Sequence, residues 1–355
     1  MINDIRLQRF RSYRDDSFEF DEGVNIIVGP NASGKTNLLE AILVLCRGSS
    51  YRAKDSELVS FGAQWGRIDA HAAEGTRTVK LIYQESGAIK KEFEVQNQKL
   101  SRLSMQKTIP VILFEPNHLL MLHGSPDLRR EYLDNLLEQL LPTYAKQRRD
   151  YRRTLAQRNS LLKRGPSIKN QLFAWNIRLS EIGSVIARER HKLSEKLSRQ
   201  ILGLYKQLSH SEAEVGLKYE TMCSIDQYSS NMLAALENRQ DKDIERGFTS
   251  VGPHREDLAI SFDGRAGSEV ASRGETRTVL LALKIMELKL VEDARGIRPI
   301  LLLDDVFSEL DGARRKALTE VIGGYQAFIT TTDADVVVQH FMDKCRIIPT
   351  TGSMG

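Results

Sequence analysis

Cysteine is scarce in this sequence of 355 residues: Cys46, Cys223 and Cys345 stand far apart, with no C-x-x-C spacing. That suggests neither a disulfide framework nor a thiolate zinc site, and the three read as small buried hydrophobes or inert thiols. Long apolar runs are missing too. None approaches the roughly 18 residues of a membrane span, and the N-terminal Met1-Ile2-Asn3-Asp4-Ile5-Arg6 has no apolar h-region. A cytoplasmic (cytosolic) protein with no membrane partner is expected. Net charge is small, at +4, so no partner follows from the global balance, and its distribution matters more. With 41% hydrophobic and 28% charged residues the chain buries a sizeable core and is not disordered. Its length fits two domains, or one large domain with an insertion.

The most informative stretch is Gly29-Pro30-Asn31-Ala32-Ser33-Gly34-Lys35-Thr36. It follows the apolar run Val24-Asn25-Ile26-Ile27-Val28 and opens a helical pattern at Asn37-Leu38-Leu39-Glu40-Ala41-Ile42-Leu43. Strand, glycine loop and helix in that order make a P-loop. Glycines let backbone N–H groups turn around a β-phosphate, Lys35 reaches the β- and γ-phosphates, and the Thr36 hydroxyl sits on Mg²⁺. The chain is expected to bind a nucleoside triphosphate, ATP, with Mg²⁺.

From Ile2 to about Val95 the pattern is mostly strand-like. Short alternating segments at 67–70, 79–83 and 91–95, with turns at Gly75 and Gly87, predict a β-meander beside the P-loop. After Val111-Ile112-Leu113-Phe114 the period shifts to near 3.6 and stays helical from about Pro126 to Leu208. The apolar stripe Leu172, Trp175, Leu179, Ile182, Ile186, Leu193, Leu197, Ile201, Leu208 predicts a helical hairpin or short coiled coil, about 55 Å long if unbroken. Toward the C-terminus Ile300-Leu301-Leu302-Leu303-Asp304-Asp305 reads as a buried strand ending in two carboxylates, followed by a helix at 313–322 and a strand at 326–330. This strand and the P-loop strand are expected side by side in one parallel sheet. The expected fold is an α/β ATPase head with a mixed sheet and β-meander subdomain. Its N-terminal half covers residues 1–115, an inserted helical domain 116–245, and its C-terminal half 246–355.

An Asp closing a hydrophobic strand opposite a P-loop is placed to hold Mg²⁺ through water, the role assigned to Asp304. Asp305 either orients and deprotonates an attacking water or caps the next turn. In Ala271-Ser272-Arg273-Gly274-Glu275-Thr276-Arg277, ahead of a helix at 279–291, a Ser, a Gly and a helix N-terminus form a second anion site. One chain already has a P-loop, so this site serves the γ-phosphate on a partner's. Asp311 in Ser308-Glu309-Leu310-Asp311 is an expected N-cap. Ordered as P-loop, Ser-x-Gly-Glu, Asp-Asp and Ser-Glu-Leu-Asp, the segments resemble the Walker A, signature, Walker B and D-loop of ABC-type ATPases.

The resemblance narrows to the RecF family of bacterial recombination-mediator ATPases, related to SMC proteins. It rests on Leu7-Gln8-Arg9-Phe10-Arg11-Ser12-Tyr13, the P-loop, Gly48-Ser49-Ser50-Tyr51-Arg52, the segment from Gly124 to Asp134, Gln157-Arg158-Asn159, the block Ser250-Val251-Gly252-Pro253-His254-Arg255-Glu256-Asp257-Leu258, and the signature and Walker B segments. It implies an ATP-dependent DNA-binding protein of DNA repair, acting on double-stranded DNA, gaps and junctions with some single-stranded contact, that helps RecO and RecR load RecA. It further implies an ATP-dependent homodimer with two ATP molecules between P-loop and opposite signature, and weak, DNA-stimulated hydrolysis. On the same ground Gly29 to Asn37, Ser272, Gly274, Glu275 and Asp311 would contact nucleotide, while Arg11 and Arg52 match positions that approach nucleotide or DNA. The Asp at 305, where transporter ATPases have Glu, predicts slow turnover. No switch His follows the strand at 327–330: hydroxyls of Thr330, Thr331 and Thr332 face a γ-phosphate, or the segment is an ordinary turn. No Mg²⁺-contacting Gln is evident near Phe114-Glu115-Pro116. The alternative is an SMC-like structural DNA clamp, against which the missing long heptad arm argues.

From Ser125 to His210, Lys and Arg outnumber Asp and Glu by about ten, most densely at Arg148, Arg149, Arg152, Arg153, Arg158, Lys163 and Arg164. This run is either a phosphate-backbone contact without sequence preference or a solvated helix face. Arg148, Arg149, Arg152 and Arg153 are the candidate DNA contacts. His254, in a turn and without a second ligand at metal spacing, is expected to be structural or phosphate-adjacent.

Overall fold

The structure, a computed structural model, describes residues 1–165, 169–209, 211–333, 337–341 and 345–350. The chain divides into two compact units, Met1–His118 with Glu287–Gly355, and Leu119–Met286.

The first unit holds two sheets. One takes the strands β1 (Ile2–Phe10), β2 (Tyr13–Glu19), β4 (Trp65–Ala72), β5 (Gly75–Tyr83), β6 (Ile89–Val95) and β7 (Gln98–Leu100) in the order β2-β1-β4-β5-β6-β7, every pair antiparallel. The predicted meander is there, and the N-terminal hairpin extends it. Alternation in β4, with Gly66, Ile68, Ala70 and Ala72 buried, gives this sheet one core face.

The other sheet contains β3 (Val24–Val28), β8 (Val111–Phe114), β12 (Ile300–Asp304), β13 (Ala327–Thr331) and β14 (Cys345–Pro349), all parallel, ordered β14-β3-β13-β12-β8. The P-loop strand β3 and the carboxylate strand β12 therefore share a sheet but are not neighbours. β13 lies between them, pairing Ile329 with both Leu303 and Ile26. Unbroken apolar runs such as Ile300-Leu301-Leu302-Leu303 fit a strand covered on both faces, but such a run carries no mark of which strand sits beside it.

Helix Lys35–Arg47 is apolar along its middle because it is covered by both sheets. Residues Leu38 to Cys46 are all buried, and the helix meets β12 and β13 of the parallel sheet as well as β1, β4 and β5 of the antiparallel one. A helix covered all round needs no polar face. Its end is set by Gly48 at φ 82°, whose N–H closes on the Val44 carbonyl.

The second unit is mainly helical. The predicted run 126–208 is three helices, Pro126–Leu140, Tyr144–Leu162 and Lys169–Ser209. The first stops because Leu141 precedes Pro142 and is held extended, at φ −122° and ψ 118°. The third, 41 residues long, spans about 60 Å and packs on the second as the expected hairpin. Leu172, Leu179, Ile182, Ile186, Leu193, Leu197 and Ile201 of the stripe are buried, whereas Trp175 and Leu208 are only half-buried.

A three-stranded sheet, β11-β10-β9, from Arg265–Ala266, Asp257–Phe262 and Val215–Glu220, belongs to this unit, and no periodicity pointed to it. Because β10 pairs with β9 across Leu258↔Tyr219 and Ile260↔Leu217, residues expected in the C-terminal half of the head join the insertion. The compact units accordingly change over at 286/287, within helix Arg273–Arg295, instead of at 245/246. No helix among the described residues is long and apolar enough to cross a membrane.

Candidate functional site

The P-loop connects β3 to helix Lys35–Arg47 by a tight path that two glycines make possible. At Gly34 φ is 100°, and an added Cβ would lie 2.8 Å from the Tyr13 hydroxyl oxygen. At Gly29 it would meet the Thr350 carbonyl oxygen at 2.5 Å. Tyr13 donates to the Gly34 carbonyl (3.1 Å), and the hydroxyls of Ser33 and Thr350 bond at 2.7 Å. Thr350, just beyond β14, also donates its N–H to the Val28 carbonyl (2.8 Å), so the loop rests against the end of that strand. Pro30, Asn31 and Ala32 form its exposed tip, Ala32 in the left-handed region at φ 65°.

Lys35 lies across this loop, its ammonium donating to the carbonyls of Gly29 (2.7 Å) and Pro30 (2.9 Å). Burial lowers its pKa, and the charges of Asp305 and Asp304 oppose that. Thr36 donates to Asp304 Oδ1 at 3.0 Å. A hydroxyl and a carboxylate at that distance, at the mouth of a phosphate cradle, are the hard oxygen donors Mg²⁺ takes when phosphates and waters complete its shell. These residues fit the ion.

Asp304 is held from three sides. Besides Thr36, Thr330 donates to Oδ1 (2.8 Å) and Tyr51 to Oδ2 (3.3 Å). The Thr330 hydroxyl also accepts the Asp305 N–H at 2.9 Å. Thr330 is thus buried and committed to the carboxylate pair, not turned toward a phosphate, and Thr331 caps its own turn through the N–H and carbonyl of Asp333. Asp305 sits at φ 51°, left-handed, a cost in backbone energy that functional positions often carry. Its pKa is raised, first by burial and then by Asp304, while Ser308 and Lys35 work against the rise.

Glu40 gathers the segments flanking the cradle. It is fully buried and takes two bonds from Arg11 (2.7 and 2.9 Å), one from Arg52 (3.1 Å) and one from Ser50 (2.5 Å). Burial opposes its charge, but Arg11, Arg52 and Ser50 prevail and its pKa falls. Arg52 also donates to Asn37 Oδ1 (2.8 Å), and Asn37 donates to Ser12 (2.9 Å). Arg11 and Arg52, read as approaching nucleotide or DNA, are therefore tied to a carboxylate of the P-loop helix. Asn37, Arg11 and Ser12 line one wall of a cleft of about 650 Å³.

In the second unit the signature segment is the first turn of helix Arg273–Arg295, which starts earlier than predicted. The reason is a capping box: Ser272 N–H donates to Glu275 (2.8 Å), and Glu275 N–H donates back to the Ser272 hydroxyl (3.2 Å). Ser272 is exposed and Gly274 half-buried. His123 joins this turn through Thr276 (3.2 Å) and the Ser268 carbonyl (3.1 Å), a contact no motif indicated. In the first unit Asp311 is an N-cap as expected, accepting the Arg314 N–H at 3.0 Å.

The basic run requires a correction. Arg148 is buried and paired with Asp134 and Glu138, each at 2.9 Å, so it faces the helical core and not a DNA backbone. Arg158 is likewise fully buried against Asp243. Helical periodicity sorts the run: Tyr144, Arg148, Tyr151, Thr154 and Arg158 face inward, whereas Arg149, Arg152, Arg153, Lys163 and Arg164 are turned to the surface. His254 is structural. Its ring takes the Tyr151 hydroxyl (2.7 Å) on one nitrogen and the Thr249 carbonyl (3.0 Å) on the other, and burial lowers its pKa to about 4.

The architecture is that of an α/β ABC-type ATPase head with a helical insertion, and residues 1–351 match the family model described as RecF/RecN/SMC N terminal domain. A DNA replication and repair protein RecF of Heliobacterium modesticaldum is 36% identical over 343 residues, 93% of this chain and 92% of that protein. The chain belongs to the RecF family. Two solved structures of the recombination mediator protein RecF in the RecFOR pathway, RecF-ATPrS and RecF-ATP, superpose with TM-scores of 0.84 and 0.82. They are 31% and 32% identical, covering 95% and 94% of this chain and 94% and 92% of theirs.

Proposed function

We propose that this chain is an ATP-dependent DNA-binding protein of recombinational repair and replication restart. It dimerises around two ATP molecules on gapped DNA or single-strand/double-strand junctions, helps RecO and RecR load RecA, and reopens by slow, DNA-stimulated hydrolysis. The observation that carries the nucleotide chemistry is the convergence of Thr36 and Asp304 at 3.0 Å beside Lys35, at the end of a P-loop. Relatives of nearly full-length similarity, solved with ATP, supply the biological setting.

Bound Mg²⁺ would neutralise phosphate charge between Thr36 and Asp304. Lys35 leaves the Gly29 and Pro30 carbonyls, which need no charge, for phosphate oxygens, which do. Asp305, made more basic than an ordinary carboxylate by burial, is suited to take a proton from an attacking water. Ser272 and the helix start behind it read the γ-phosphate on a partner chain.

The test pairs two variants. Lys35→Ala removes the P-loop charge, and Ser272→Arg fills the space before the signature while leaving the residues of the P-loop unchanged. Neither hydrolyses ATP alone. Mixed, they recover part of the rate, because the intact P-loop of one meets the intact signature of the other, once per dimer. A Ser272→Arg protein that dimerises on ATP and turns it over at the parental rate overturns the composite site.

A further inference from the structure

Among the residues around Asp304, Tyr51 has no role in the P-loop scheme. It comes from the segment Gly48-Ser49-Ser50-Tyr51-Arg52, which follows the helix Lys35–Arg47 and is fixed at several points. Lys91 holds the Gly48 carbonyl at 2.7 Å, the Ser50 hydroxyl donates to Glu40 and accepts the N–H groups of Arg52 and Ala53 (3.1 Å each), and Arg52 reaches both Glu40 and Asn37. The Tyr51 ring packs on the apolar core and its hydroxyl reaches Asp304 Oδ2.

The division of labour on the carboxylate is uneven. Both threonines donate to Oδ1, and Tyr51 donates to Oδ2. Thr36 is the donor that gives up its bond when its hydroxyl oxygen turns to a cation. What then keeps the carboxylate in plane is Thr330 on one oxygen and Tyr51 on the other.

We infer that Tyr51 is a positioning residue for the Mg²⁺ site: its hydroxyl fixes the outer oxygen of Asp304, so that the inner one is presented at the P-loop. This rests on the proposed ATP and Mg²⁺ chemistry, and it assigns to a tyrosine on a separate loop the steadying of a carboxylate whose other side-chain donors are threonines. Hydrogen bonds to a ligand's far side commonly set metal affinity by about 10- to 100-fold.

Tyr51→Phe removes the hydroxyl and leaves the ring on the core. Binding of a fluorescent ATP analogue is measured in EDTA and across a Mg²⁺ titration, with the hydrolysis rate followed against free Mg²⁺. The expected result is unchanged nucleotide affinity in EDTA and a Mg²⁺ midpoint raised roughly tenfold, with activity recovered at high Mg²⁺. A packing defect would instead lower affinity in EDTA and would not be rescued by the ion. An unchanged Mg²⁺ midpoint in a variant that binds ATP normally overturns the role of Tyr51 while leaving the ATP site standing. A parental protein whose nucleotide binding ignores Mg²⁺ overturns both.

Discussion

His254 shows how a residue inside a family-like motif can serve the fold alone. With Tyr151 donating to one ring nitrogen and the other donating to the Thr249 carbonyl, the neutral ring is fully matched. Its pKa is lowered to about 4 by burial, whereas an unfolded chain's histidine titrates near 6.5. Between those values the unfolded state binds more protons. Stability is therefore unaffected above about pH 6.5 and falls as pH drops toward 4. A His254→Asn variant lacks this titration, so its deficit relative to the parent, read from urea unfolding, should shrink by on the order of 3 kcal/mol from pH 7 to pH 4. A constant deficit would mean that the ring is not held neutral. At this scale the Walker A loop was legible because its chemistry lies in eight consecutive residues. The bonds of Thr330 and Tyr51 to Asp304, and of Thr350 to Ser33, were not, since they join segments brought together only by the long-range order of the parallel sheet.

Helix Arg273–Arg295 carries two demands on one residue. Ser272 completes the capping box, and the proposed partner phosphate approaches the same end. The two uses separate by substitution. Ser272→Ala loses the cap, at about 1 kcal/mol. Ser272→Asp keeps a good cap and adds a charge that the helix dipole favours, but the same charge repels a phosphate. Thermal unfolding of Ser272→Asp should match the parent while ATP-dependent dimerisation, followed by light scattering, disappears; a dimer that survives would leave Ser272 as a cap only. The sequence showed the helix but placed its start late, because a capping box is a reciprocal bond between Ser272 and Glu275 and not a hydrophobic period. The same limit explains the basic run. A tally of charges along the chain takes Arg148 and Arg158 for surface residues, and only the inward partners Asp134, Glu138 and Asp243 show otherwise.

Charge on the molecule as a whole is close to balanced, so the proposed DNA binding would have to rest on local patches. Arg149, Arg152 and Arg153 face the surface, and replacing all three with Gln should flatten the salt dependence of duplex binding by about 0.9 in log–log slope for each phosphate no longer neutralised. Arg148→Gln should act differently, lowering stability by breaking a buried ion pair. An unchanged slope in the triple variant assigns the run to solvent. The helical insertion and the ATPase head were recognisable from periodicity and motif order, whereas the changeover at 286/287 depended on the pairing of β9 with β10. The sheet order has a consequence for how the protein is made. β3, which leads into the phosphate cradle, lies between β13 and β14 in the parallel sheet, and Val24 pairs with Ala327 and Cys345. Those partners leave the ribosome about 15 to 60 s after β3, at roughly 5–20 residues per second. Throughout that interval a nascent chain carries an unpaired, largely apolar strand and no working cradle, so nucleotide can stabilise the finished protein but cannot guide its synthesis, and that strand is open to pairing with foreign edges until its partners arrive.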